Sequence, residues 1–210
     1  MSSIIKVDTI QNQSGANIIS ESANTITVGA SGDTVTIPSG ATLGGAGTFD
    51  LTSGSVTLND TMKNTPAFEA YRSSDQTPSN NTLTKIQFNT EIYDTDGNYD
   101  NSTNYRFTPT TAGKYFVYGS MRGDAESATD LEFIRLDIYK NGSTYKNTAI
   151  EFGATNDIDN ASLTITAVVD MNGSTDYLEI FGMLRSSVQP TINGDGNKPT
   201  TFGAYRIIGA

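Results

Sequence analysis

Leu131-Glu132-Phe133-Ile134-Arg135-Leu136-Asp137-Ile138-Tyr139-Lys140-Asn141-Gly142-Ser143 decides the fold class. Phe133, Arg135, Asp137 and Tyr139 alternate with Ile134, Leu136 and Ile138, the pattern of a strand with one buried and one wet face. Asn141-Gly142 follows at once. Between two alternating runs this dipeptide is the strongest short hairpin signal, because both residues accept the positive φ of a tight turn. Outward from the hairpin, further candidate strands are Ala67 to Arg72, Lys85 to Asn89, Asn104 to Thr108, Lys114 to Met121, Ser143 to Phe152, Ala161 to Asp170, Asp176 to Arg185 and Thr201 to Ile208. No helix-period stretch competes. Strands of this length with unequal loops suit an all-β, two-sheet jelly roll over residues 64–210.

Composition excludes much chemistry. The 210 residues carry 23 acidic and 13 basic side chains, a formal net charge of -10, with no Cys, His or Trp. That removes disulfides, thiolate nucleophiles, imidazole bases and most zinc sites. No basic run exists to neutralise a phosphate backbone, so nucleic acid is not an expected partner. Met1 to Asp8 lacks the basic start and apolar stretch of a signal peptide, and no apolar window is long enough for a membrane helix. The expectation is a soluble protein that is not secreted through a signal peptide, with no cofactor and no membrane insertion.

Residues before the head follow different rules. Between Lys6 and Lys63 there is no Lys or Arg, and apolar residues recur as dyads: Ile26/Val28, Val35/Ile37, Phe49/Leu51 and Val56/Leu58. Each dyad shows two side chains to one face of a short strand, and Gly- and Ser-rich turns separate them. A single chain cannot bury enough apolar surface here to offset the entropy of ordering it. Three copies around an axis could, and would pair one another's strand edges. Residues 23–63 therefore read as an extended trimeric β-shaft, with a Gly/Ser/Thr linker as the bland alternative.

Candidate chemical sites are sparse. Gly44-Gly45-Ala46-Gly47 has no following Lys or helix and reads as a turn. Asn101-Ser102-Thr103, Asn141-Gly142-Ser143, Asn160-Ala161-Ser162 and Asn172-Gly173-Ser174 fit the glycosylation pattern and are most simply turn residues. Carboxylate pairs such as Glu132 with Asp137, or Asp157 with Asp159, are the only conceivable hydrolytic groups. No spacing selects them, so no catalytic residue is assigned. Tyr71, Tyr93, Tyr99 and Tyr145 lie near loops or strand ends, where aromatic faces could bind sugar rings, with Tyr93, Tyr99 and Tyr145 the candidate contacts. Their competing role is packing in the core or at an interface.

Phe88, Asp94, Tyr99, Phe107, Gly113 and Tyr115 run in an order that resembles the globular head of the complement subcomponent q and tumour necrosis factor superfamily. Ile138-Tyr139-Lys140-Asn141-Gly142 is similar to that family's hairpin, and Phe202-Gly203-Ala204-Tyr205-Arg206-Ile207-Ile208 to its last strand. One extra residue between Tyr99 and Phe107, and Val117 and Gly119 in place of aromatics, depart from the pattern. The resemblance implies a ten-stranded jelly roll and a homotrimer in which Phe202, Tyr205 and Ile207 join the shaft residues Ile26, Val28, Val35, Ile37, Phe49, Leu51, Val56 and Leu58 at the interface. Related heads hold calcium near the trimer axis, and Asp94, Asp96, Asn98 and Asp100 alternate like the start of a calcium loop. Gly97 is misplaced for such a loop, and Tyr105 stands where its closing Glu belongs, so a solvated acidic loop is the stronger reading.

Ile4-Ile5-Lys6-Val7-Asp8-Thr9-Ile10-Gln11-Asn12-Gln13-Ser14-Gly15-Ala16 resembles the opening of tail-fibre and related structural proteins of bacteriophages, notably those of marine cyanobacteria. The resemblance implies that residues 1–22 attach the chain to the virion through Ile4, Ile5, Val7 and Ile10. The expected protein is a non-enzymatic homotrimeric virion fibre, made in the host cytoplasm and bound to other tail, baseplate or capsid proteins, whose head meets a host surface glycan or protein with Tyr93, Tyr99 and Tyr145 as candidate host contacts. A capsid or tail decoration protein that stabilises the virion is the alternative, and a cellular adhesin a distant third.

Overall fold

The structure is a computed structural model that describes residues 9–11, 17–22, 25–28, 34, 36, 62–125, 130–153 and 158–209. Two compact units divide the chain, Met1–Val56 and Thr57–Ala210. In the first, β1 (Thr9–Gln11), β2 (Asn17–Ser22) and β3 (Thr25–Val28) form one antiparallel sheet in the order β1-β2-β3. Ile10, Ile19 and Val28 share one register row across it. β3 thus pairs with β2 of its own chain, where the sequence suggests pairing between copies. Val35, Ile37, Phe49, Leu51, Val56 and Leu58 lie outside the described residues.

The second unit contains β4 (Ala67–Tyr71), β5 (Thr84–Lys85), β6 (Thr90–Asp94), β7 (Tyr99–Asp100), β8 (Arg106–Phe107), β9 (Gly113–Asp124), β10 (Leu131–Lys140), β11 (Ser143–Glu151), β12 (Asn160–Met171), β13 (Leu178–Ser186), β14 (Thr191–Ile192) and β15 (Thr201–Arg206). They build two six-stranded sheets. One runs β11-β10-β13-β8-β7 with β5 also on β13; the other runs β12-β9-β15-β4-β6 with β14 also on β9. All pairings are antiparallel. This is a jelly roll of twelve strands among the described residues, where the resemblance implies ten; β5, β7, β8 and β14 are two-residue fragments.

Alternation fills the space between the sheets. Tyr115, Val117 and Met121 of β9, Leu163, Ile165, Ala167 and Val169 of β12, Ile134, Leu136 and Ile138 of β10, and Leu178, Ile180 and Leu184 of β13 all face inward and are buried. Glycines on facing strands take up the bulk of their opposites. A Cβ on Gly123 would meet Leu184 at 2.3 Å, and one on Gly182 would meet the Met121 sulfur at 2.4 Å. Large side chains on one sheet therefore occupy gaps left by glycine on the other, the close packing that interiors require. An aromatic cluster closes one part of the core: Phe68 stacks on Tyr99 and on Phe107, each at 4.5 Å, and meets Phe202 edge-on at 4.8 Å.

Two expectations change. The strand expected over Lys85 to Asn89 pairs only through Thr84–Lys85 and the Ile86 N–H; the next amide, Gln87, donates to the Gln76 side chain at 3.0 Å. Conversely Thr90–Asp94 is a strand that the sequence hides, because Glu91, Ile92 and Tyr93 are all exposed at a sheet edge and no period of two survives.

Candidate subunit interface

The outer face of the sheet containing β9 and β15 is built in cross-strand rows. Strand registers place Val168, Phe116, Tyr205 and Ala67 in one line across four strands. The next line holds Thr166, Tyr118, Gly203, Glu69 and Tyr93, and a third holds Thr164, Ser120, Thr201 and Tyr71. The first is apolar, the second mixes aromatic rings with one carboxylate, and the third is rich in hydroxyls. Beyond the apolar line, Lys114 and Asp170 form an ion pair at 2.6 Å.

This face also carries exposed apolar side chains. Val168, Tyr205 and Tyr93 are exposed on it, at 48%, 37% and 41%. Phe116 lies 5.5 Å from the Tyr205 ring and 6.3 Å from Tyr118, so the rings make one connected surface. Gly203 is what lets Tyr118 lie flat: a Cβ there would meet the Tyr118 ring at 2.3 Å. Across that gap the Tyr118 hydroxyl donates to Glu69 Oε2 at 3.0 Å. Burial, then the neighbouring Glu69 carboxylate and Tyr93, hold the Tyr118 phenol protonated well above its ordinary range. A rigid, half-apolar patch with satisfied polar groups suits burial against another protein surface.

The sequence-derived interface residues divide. Tyr205 faces outward on this patch, and Ile207 is half-buried beside Lys114, whose carbonyl accepts the Ile207 N–H at 2.8 Å. Phe202 is corrected: it is fully buried in the aromatic core against Phe68, Phe88 and Tyr99, because its place in β15 alternates with Tyr205. Val28 is exposed, and Ile26 lies in β3. Phe116, Tyr118 and Val168 are members that sequence reading missed, although Lys114-Tyr115-Phe116-Val117-Tyr118 shows apolar residues at both phases of the strand, the mark of burial on both faces.

Among the candidate host contacts, Tyr99 is corrected. It is buried, its ring stacks on Phe68, and its hydroxyl donates to the Phe88 carbonyl at 3.0 Å. Burial raises its pKa. Tyr93 belongs to the aromatic patch, where it contacts Tyr118. Tyr145 is half-exposed and its hydroxyl donates to the Val168 carbonyl at 3.0 Å. Of the docking residues, Ile10 is exposed in β1, while Ile4, Ile5 and Val7 lie outside the described residues.

The acidic loop turns its oxygens on itself. Asp94 accepts the Tyr99 and Asp96 amides at 2.8 and 3.2 Å, Asn98 accepts the Thr110 amide at 2.7 Å, and Asp96 accepts the Thr95 hydroxyl. Asp100 accepts amides from Ser102, Thr103 and Asn104 and the Asn104 side chain at 2.7 Å. These bonds, the Thr103 amide first, hold its carboxyl far below the usual range. Loop closure engages these oxygens, so the acidic loop is a self-capped turn. Among the described residues no three His, Cys, Asp or Glu side chains meet as a metal site. Of the carboxylate pairings, Arg185 holds Glu132 at 2.9 Å and Arg135 holds Asp137 at 2.6 Å, while Asp157 lies outside the described residues.

No protein-family model matches the chain, and no curated protein matches it. Among solved structures, murine APRIL at pH 8.5 aligns at 9% identity over 67% of this chain and 98% of that one, with a TM-score of 0.48. The structure of Eiger TNF from S. frugiperda aligns at 13% identity over 69% of this chain and 93% of that one, with a TM-score of 0.51. Identity this low speaks for the fold alone, and the fold of residues 67–206 is a jelly roll of the tumour necrosis factor type.

Proposed function

We propose that the protein is a non-enzymatic homotrimeric virion fibre of a bacteriophage, attached to the particle through its N-terminal segment and presenting the jelly-roll head to the host surface. The observation that carries the association is the connected patch of Val168, Phe116, Tyr205, Tyr118 and Tyr93, with 37–48% exposure at Val168, Tyr205 and Tyr93. Two further features support a fibre. The opening residues resemble phage structural proteins, and apolar dyads without cations separate that opening from the head.

Light scattering in dilute solution gives about three times 22.4 kDa on this reading. Phe116→Asp combined with Tyr205→Asp places two charges in the patch and yields a monomer with unchanged strand content by circular dichroism. A wild-type monomer defeats the homotrimer. Immunogold microscopy of the particle then separates the roles: label at tail or baseplate supports the fibre, label over the capsid supports decoration, and an unlabelled particle rejects both.

A further inference from the structure

Among the described residues, the N-terminal sheet carries a half-exposed apolar row. Ile10, Ile19 and Val28 stand opposite one another in β1, β2 and β3 and are 46%, 38% and 52% exposed. Aligned aliphatic side chains on adjacent strands reinforce one another as a single strip. A three-stranded sheet of this size needs such a face packed against something to be stable.

The size of the strip points to its occupant. Three half-exposed aliphatic side chains offer on the order of 250 Å² together, far short of the ~800 Å² that each partner buries in a standard interface between independent proteins. A separate protein seated on a single copy of this row would bind weakly, so docking on the particle is left to Ile4, Ile5 and Val7. Copies of the same sheet already held in one oligomer face a different requirement. A tether that lets them meet gives an effective concentration on the order of mM, and even a small apolar contact is then populated. We infer that the Ile10–Ile19–Val28 row packs against the same row of a second copy of this chain, making the β1–β3 sheet a second association surface alongside the head. The inference rests on the homotrimer proposed for the head.

The chain contains no cysteine, so a single introduced thiol reports proximity without background. Ile19→Cys is placed in the row, and Ser20→Cys, one step along β2, tests the opposite face of the same sheet. Each full-length variant is first confirmed as an oligomer by light scattering, then treated at low concentration with a short bismaleimide whose reach matches the ~10 Å spacing of packed sheets. The expected result is at least roughly tenfold more covalent dimer from Ile19→Cys than from Ser20→Cys, abolished when Ile10 and Val28 are replaced by Asp. Equal cross-linking in the two variants, or none from Ile19→Cys in a confirmed trimer, overturns the row-to-row contact. A monomer in the scattering measurement overturns the head reading instead, so the two failures are distinguishable.

Discussion

At the scale of single residues, what separates core from surface is often one step of strand alternation. Phe202 and Tyr205 sit in the same six-residue strand, yet Phe202 is fully buried beneath Phe68 and Tyr205 lies outside on Phe116. Phe202→Leu should therefore lower the urea midpoint of the head by the equivalent of about 1–3 kcal/mol while leaving the oligomer's mass unchanged. Loss of association without loss of stability would return Phe202 to the interface. Acid sensitivity is also a residue-scale property. Asp100 and Asp176 have pKa values lowered by folding, the first by the Thr103 amide and the second by the Asn141 side chain and then Lys140. A carboxylate whose folded pKa is depressed adds stability above its unfolded value, about 3.9, and that stability is lost as pH falls through the folded value. Melting temperature should thus be nearly flat from pH 7 to 5 and fall below about pH 4, with a shallower fall in Asp100→Asn. An unchanged slope in that variant would remove Asp100 from the account. The family-like residues were legible because they serve one purpose: Phe88, Tyr99, Phe107 and Tyr115 are all buried in one core with Phe68 and Phe202, which fixes their order along the chain. Gly119, out of place by the family pattern, packs beneath Ile180, whose side chain would lie 3.1 Å from an added Cβ.

At the scale of elements, the hairpin quoted first is the best example of local sequence deciding structure. Asn141 and Gly142 take φ of 53° and 78°, and the register of β10 on β11 follows from that turn. Its wet face is drier than alternation suggests. Asp137 is fully buried because Arg135 clamps both its oxygens at 2.6 and 2.7 Å and Thr144 donates at 3.0 Å. No alternation rule could show this, since it depends on a side chain from the next strand. The same hairpin protects a neighbouring edge. Side chains of Lys146, Tyr145 and Lys140 donate to the Thr166, Val168 and Asp170 carbonyls of β12 at 2.8, 3.0 and 2.6 Å. Alternate carbonyls along β12 are thereby covered, and an uncovered edge is a template for unwanted pairing. Tyr145→Phe with Lys146→Ala should cost about 1–3 kcal/mol, two ordinary hydrogen bonds, and raise the rate of turbidity growth on mild heating. A variant with unaltered midpoint and clarity would show that the edge needs no cover.

At the scale of the whole molecule, the head is a unit by its own packing. Thr57–Ala210 forms one compact body, and its aromatic and aliphatic residues share a single core. A chain starting at residue 57 should fold, melt cooperatively and retain the oligomeric state conferred by the patch; a soluble but unfolded fragment would show that the preceding residues are required. The two-sheet architecture was legible from alternation and turns, whereas two-residue strands such as β7 and β14 were not, because two residues carry no period. The candidate interface was half legible: Tyr205 lies in a recognisable strand, but Phe116 and Tyr118 become a surface only when register sets them beside it. Strand order has a further meaning for biosynthesis. β15 is the last strand in sequence but lies in the middle of its sheet, between β9 and β4. A growing polypeptide cannot close that sheet until residue 206 has left the ribosome, and a nascent chain interrupted earlier keeps two raw strand edges. The central position of β15 thus makes closure of this sheet wait on a strand translated after all of its neighbours.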